Sequence, residues 1–422
     1  MRYDRGDALS KNRISAILFI NVLAATLYIA TVFTPYLSRH GLFNLGIPLI
    51  LMWTASAFLH VPKALKPNSV LMVTALFLVW VFTTRLLGHG SASLGNIGAL
   101  MLYFFPMYMY FYYKRLSNDR VSKWIALSAM VILMGNIIDN IRLLTIHPYA
   151  AKFFTGGFYL DDILLLNVGA LPFTLAVAIL VPTMLSLAKV SKLRIYFYAA
   201  IVIIFAYIYM SLSVTTLIIS VWSAVLLSLM LIHNGSVRLT VFFLCTIVFI
   251  VTLVYLPPIL INLADLVDTP AISERFYSIA MALQGVGNEE SSFVARLRNS
   301  HLSLTTFLGN PVFGVGFEAS LDRYATGVGM HSQIFDDMTR FGLVGIMMNV
   351  FIYFSFIKYR LRSRTTVAKG LGISYLSFLA MSLLNSSAFP ETGLVVFLLL
   401  PLIVDLSCKF GHGNKVCPDA SE

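Results

Sequence analysis

The segment 327–345, GVGMHSQIFDDMTRFGLVG, sets a histidine, two adjacent aspartates and an arginine at the mouth of an apolar stretch. Near neutral pH the imidazole of His331 can accept a proton from a hydroxyl, or stabilise a leaving phosphate when charged. Gly327 and Gly329 just before it allow a bound group to approach the backbone closely. On a helix over 332–357, Asp336 and Arg340 are an i,i+4 pair and Asp337 stands three residues from Arg340, so an ion pair at the helix entry is their plain structural explanation.

Upstream, SSFVARLRNSHLSLTTFLGN carries Arg296 and Arg298. The stretch reads as a helix opened by Ser291 or Ser292 and stopped by Gly309-Asn310-Pro311. The two arginines lie about 200° apart around such a helix, so they point in different directions. One can grip a phosphate, whose oxygens match the planar fork of a guanidinium, while the other meets solvent or lipid headgroups. Ordinary surface charge is the alternative for both. Phe293, Leu297, Leu304 and Leu308 share one stripe, which suits a helix lying flat on a membrane surface or on a helical bundle.

A third polar cluster is Asp139-Asn140-Ile141-Arg142, near the outer end of an apolar run. Ionisable groups there face a cavity or a partner, or else Asp139 and Arg142, three residues apart, neutralise each other. No P-loop, Gly-x-Ser-x-Gly, His-Glu-x-x-His or Asp-x-Asp pattern occurs, and the acids are scattered, so no metal or other cofactor is expected.

The elements that must position these groups follow from composition. The chain has 422 residues, 58% hydrophobic and 12% charged, with a mean hydropathy of +0.83. Soluble domains carry about 25% charged residues. Apolar runs recur along the whole length, each long enough to cross about 30 Å of hydrocarbon as a helix, and none alternates as a membrane strand does. An all-α polytopic membrane protein is expected, with about twelve spans at 14–34, 42–60, 69–88, 95–113, 123–145, 163–187, 195–211, 214–232, 239–260, 338–357, 370–388 and 392–410. The charged N-terminus leads into its apolar run without a cleavage pattern, so it is read as a retained first helix.

The net charge of +11 raises nucleic-acid binding, but the basic residues stand mostly between apolar runs, where topology explains them. Placing both termini in the cytoplasm puts Lys63, Lys66, Lys114, Arg115, Lys189, Lys192, Lys358, Arg360 and Lys369 inside, and leaves only Arg39, Arg85, Arg142 and Lys152 in the short outer loops. The three cysteines show no metal or disulfide spacing. The chain divides into a bundle at 1–260, a long outer loop at 261–337 and a closing bundle with tail at 338–422. A loop of that length without disordered composition is usually functional.

With Arg296-Leu297, the turn at Pro311, Gly314 and Gly316, then His331-Ser332 and the Gly342 and Gly345 that open the next span, the chain resembles the bacterial O-antigen ligase and O-antigen polymerase superfamily. The resemblance implies a C-type glycosyltransferase-like fold in the inner membrane, with one periplasmic loop containing amphipathic helices. It implies glycan transfer from an undecaprenyl-pyrophosphate carrier without metal or nucleotide sugar. By carry-over, Arg296 binds the donor pyrophosphate, and His331 assists the acceptor hydroxyl or the departing phosphate.

The family's arginine in an earlier outer hairpin is replaced here by Val214, and Ser300 stands where a tryptophan is common. Arg142 or Arg298 could supply the missing phosphate contact, and Asp336 and Arg340 complete the candidate substrate-binding set. The expected function is polymerisation of O-antigen or capsule repeats, with a flippase and a chain-length regulator as partners. The competing expectations are ligation to lipid A core, a twelve-span transporter or lipid-linked-oligosaccharide flippase, and a purely structural membrane subunit.

Overall fold

A computed structural model describes residues 4–87, 94–116, 118–147, 150–151, 167–232, 235–266, 273, 276–277, 280–281, 292–316, 326–361 and 365–410. Among them every regular element is helical. In chain order these are α1 (Asp4–Phe33), α2 (Pro35–His40), α3 (Leu42–His60), α4 (Ser69–Leu87), α5 (Leu94–Arg115), α6 (Asp119–Ile146), α7 (Leu171–Val190), α8 (Arg194–Met210), α9 (Val214–Met230), α10 (Gly235–Leu266), α11 (Ser292–Gly309), α12 (Gln333–Leu361), α13 (Thr366–Leu384), α14 (Pro390–Leu394) and α15 (Leu400–Phe410), with a π-helical turn at Val395–Leu399 joining the last two.

Among the described residues, six helical stretches are long and apolar enough to cross a membrane: Ser15–Phe33, Asp119–Ile146, Leu171–Val190, Gln333–Lys358, Thr366–Leu384 and Pro390–Ser407. Shorter apolar helices occur at Asn44–His60, Ser69–Thr84, Arg194–Met210, Thr215–Met230 and Tyr255–Leu266. The chain is thus a helical protein with the apolar surface of a membrane-embedded one. The sixth expected span begins at 163, but its residues 163–166 lie outside the described ones, and the helix there starts at Leu171.

α7 occupies the centre, packed by α8, α9 and α13, and is buried almost all round from Phe173 to Ala188. That position explains why its sequence is apolar without a polar face. Beside it, Tyr103 and Phe104 of α5, Tyr353 and Phe356 of α12, and Phe397 of the π turn form an edge-to-face and stacked ring cluster, with centroids 4.9 to 5.7 Å apart. Tyr103 and Tyr353 share a hydroxyl–hydroxyl bond of 2.5 Å inside it.

The connections sort to two ends of this body. At one end the Lys114 ammonium lies 3.8 Å from the Asp405 carboxylate, Arg115 donates to the Ala64 carbonyl, and Lys369 donates to the Met230 carbonyl. At the other end the Tyr36 amide donates to Asn167 Oδ1, Arg39 to the Val168 carbonyl, Ser38 to the Glu391 carboxylate, and the amides of Ser387 and Ala388 to Gln333 Oε1.

One expectation is corrected. The helix expected without interruption over 332–357 is broken at Gly342, where φ is +64° and ψ is −167°. An unbroken helix would bond Leu343 N to Thr339 O and Val344 N to Arg340 O. Here the segment 311–316 inserts between those groups. Leu343 N donates to Pro311 O (2.8 Å) and Val344 N to Val312 O (3.4 Å), while Val315 N and Gly316 N donate to Thr339 O (2.8 Å) and Arg340 O (2.9 Å). Two intrahelical bonds are exchanged for four to the inserted loop, so the break leaves none of these backbone groups unsatisfied.

Candidate functional site

The site is built on α11, whose buried stripe is Asn299, Ser303 and Phe307. Its opposite face exposes Leu297, Leu304 and Leu308, so the apolar stripe read from the sequence turns outward, and a polar one packs on α12. The side chain of Phe293 and residue Ser291 lie outside the described residues. Ser303 sits at the centre of the seam. Its hydroxyl donates to Asp336 Oδ1 (2.7 Å) and accepts from the Gly329 amide (2.7 Å), and its carbonyl accepts from the Thr339 hydroxyl (2.6 Å). Small residues in the facing segment 327–332 make this approach possible: a Cβ on Gly329 would lie 2.1 Å from the Asn299 carbonyl oxygen.

Arg296 precedes Ser303 by seven residues, about 20° from it around the helix, and is therefore on the seam side. It is half-buried, whereas Arg298 is exposed. The divergence expected from their spacing is present, and it turns Arg298 away from the seam. His331 is half-buried in the segment 327–332, whose Gly329 packs on α11. Its predecessor Met330 has φ +57°, an outlier for a residue with a side chain, and the Met330 amide donates to Asp336 Oδ1 (3.2 Å).

Asp336 is therefore no surface charge at a helix mouth. It is 1% exposed, and its Oδ1 joins α11 to the segment carrying His331. Periodicity could not reveal this, because its partner hydroxyl is 33 residues away. Asp336→Ala is expected to lower thermal stability in detergent by about 1–3 kcal/mol for each buried donor left without an acceptor. Asp336→Asn, which keeps an acceptor oxygen, should lose distinctly less; equal losses would count against the anchoring role.

Asp337, half-buried, instead accepts from Gln333 Nε2 (2.8 Å) and from Asn349 Nδ2 (3.3 Å). Arg340 is half-buried on the same helical turn, just before the break. Arg142 is exposed on α6, whose packing partners include α1 and α8, so none of these contacts brings it to the seam. Among the described residues no ion pair joins it to Asp139. That carboxylate accepts from Asn167 Nδ2 (3.1 Å), which also donates to Asn136 Oδ1 (3.0 Å). The mutual neutralisation read from their spacing is replaced by an asparagine network. Leu212, with φ +56°, turns the α8–α9 hairpin, and the side chain of Val214 lies outside the described residues.

No family model matches the chain, and no curated protein is significantly similar to it.

Several polar residues of this end escaped the sequence reading. Gln333, Ser303 and Asn349 each bond across the seam or beside it, and Glu391, 7% exposed, opens α14. A lone Asn in GIMMNVF and a lone Glu in AFPETG were the only signals, and neither names its partner. Among the described residues no three His, Cys, Asp or Glu side chains gather into a group able to hold a metal.

Proposed function

We propose that the chain is a metal-independent glycosyltransferase of the inner membrane that polymerises polysaccharide, O-antigen or capsule, from repeats linked to undecaprenyl pyrophosphate. In this reading it has about twelve crossings, a C-type glycosyltransferase-like architecture, both termini in the cytoplasm and 261–337 in the periplasm. The sorting of connections to two ends supports that topology: contacts link expected inner segments to inner ones and outer to outer.

The observation that carries the reading is the seam at the outer end of an apolar body. It brings the helix of Arg296 against the segment of His331 through Ser303 and Asp336. A diphosphate leaving group needs fixed positive charge, and an arginine whose charge does not titrate supplies it. The acceptor hydroxyl oxygen forms a bond to the anomeric carbon of the donor glycan, and the bond from that carbon to the phosphate oxygen breaks. The electron pair leaves on undecaprenyl pyrophosphate, held by Arg296, and the hydroxyl proton passes to His331. Arg298, Arg142 and Arg340 are further contacts for phosphate or sugar in the same reading. A flippase delivers the lipid-linked repeats, and a chain-length regulator acts on the product.

Deleting the gene and resolving the surface glycan on a gel tests this. A ladder reduced to one repeat on lipid A core, with lipid-linked repeats accumulating, is the expected result. Polymer left on the carrier with none on the core identifies a ligase instead. An unchanged glycan removes the glycosyltransferase reading and favours transport or a structural role.

A further inference from the structure

His331 is flanked by residues tied to the last turn of α13 and to the segment that follows it. Met330 is in the left-handed region, and its carbonyl accepts from the Ser386 hydroxyl (3.4 Å). Ser332, 1% exposed, donates to the Ser382 carbonyl (3.5 Å) and accepts from the Phe335 amide (3.4 Å). Gln333 makes the densest set of these ties. Its amide donates to the Asn385 carbonyl (3.2 Å), and its Oε1 accepts from the amides of Ser387 (3.1 Å) and Ala388 (3.0 Å). Its Nε2 donates to Asp337 Oδ1 (2.8 Å). Gln333 thus joins the start of α12, just after His331, to the segment 385–388, by its backbone at Asn385 and by its side chain at Ser387 and Ala388.

A left-handed backbone at a residue with a Cβ is costly and persists only where its surroundings impose it. We propose that Gln333 is a positioning residue: it imposes the backbone course that sets where the His331 imidazole stands. The polarity of its amide, oxygen toward 387–388 and nitrogen toward Asp337, is what holds the clamp. This rests on His331 acting in the transfer proposed above.

The polarity can be exchanged. Gln333→Glu keeps the two bonds from Ser387 and Ala388 but sets a second carboxylate against Asp337, where a donor is needed. Adding Asp337→Asn restores a donor from the other side and still leaves an oxygen for Asn349. The probe is the glycolipid that accumulates in the deletion strain, incubated with membrane vesicles containing each full-length variant at matched abundance.

Gln333→Glu is expected to lower kcat on the order of a hundredfold with KM unchanged, because displacing a reacting group by about 1 Å has that effect. The double variant should return to within about threefold of the parent, a factor within the usual spread of such context-dependent effects. An active Gln333→Glu beside an inactive His331→Ala overturns the positioning role and leaves the proposed function standing. So does a double variant as slow as the single one. Full activity of His331→Ala removes the proposed function itself.

Discussion

Arg296→Ala and His331→Ala are each expected to abolish the polymer while the protein stays in the membrane at normal abundance. Arg296 lies on the seam side of α11 but is only half-buried, so its replacement removes charge from this end of the bundle without opening the Asn299–Ser303–Phe307 stripe beneath it. Losing one such preorganised electrostatic contact to a leaving group costs roughly a factor of 10²–10³ in turnover. Losing the proton acceptor costs roughly 10²–10⁴. Arg296→Lys keeps the charge without the two-pronged donor geometry and should fall between parent and alanine variant. Arg298→Ala, on the exposed face, should leave ladder length close to the parent's. The measurements are the gel ladder and the protein's abundance in membranes, taken together. A normal ladder from Arg296→Ala or His331→Ala would remove that residue from the site.

Gly342→Ala is expected to have the largest effect on folding. The residue has φ +64°, and a Cβ there would stand 2.2 Å from the Val312 carbonyl oxygen and 2.4 Å from its carbon. Both are backbone atoms, which cannot swing aside as a side-chain end can. With ψ at −167° the backbone lies in a region that essentially only glycine adopts, and holding alanine there costs about 1–3 kcal/mol. Displacing 311–316 endangers the four bonds that replace the broken helical ones, each contributing about 0.5–1.5 kcal/mol. Gly314→Ala, with φ +71° and a Cβ 2.5 Å from the Arg340 carbonyl group, should fail similarly, whereas a Cβ on Gly309 meets nothing within 4 Å and Gly309→Ala should be tolerated. Melting in detergent distinguishes them. Equal stability of Gly342→Ala and Gly309→Ala would show that the insertion does not hold the seam together.

Some of this was legible in the residues. The bounds of α11 were readable because its sequence carries its own stop signal, and local backbone chemistry does not depend on what packs outside. The divergence of Arg296 and Arg298 was equally readable, since helical geometry alone sets it. The break at Gly342 was not, because a glycine inside an apolar run looks the same whether the helix continues or another segment enters it. Asp336 shows a related limit. Spacing offers Arg340 as a neighbour and gives no sign of Ser303 and the Met330 amide, the groups its Oδ1 holds.

The sequence by itself determined that this is an all-helical, membrane-embedded chain, where its apolar helices lie, and which ionisable residues stand between them. Those features follow from hydrophobic content and from helical periodicity, both local properties of the chain. Only the tertiary structure decided that 311–316 enters α12, that Asp336 is an internal anchor while Asp337 engages Gln333 and Asn349, and that the residues around His331 are held by the segment beyond α13. The first and last of those outcomes, and the bond from Ser303 to Asp336, depend on partners distant in sequence, and a backbone carbonyl or amide carries no mark in the sequence of which distant group it will meet.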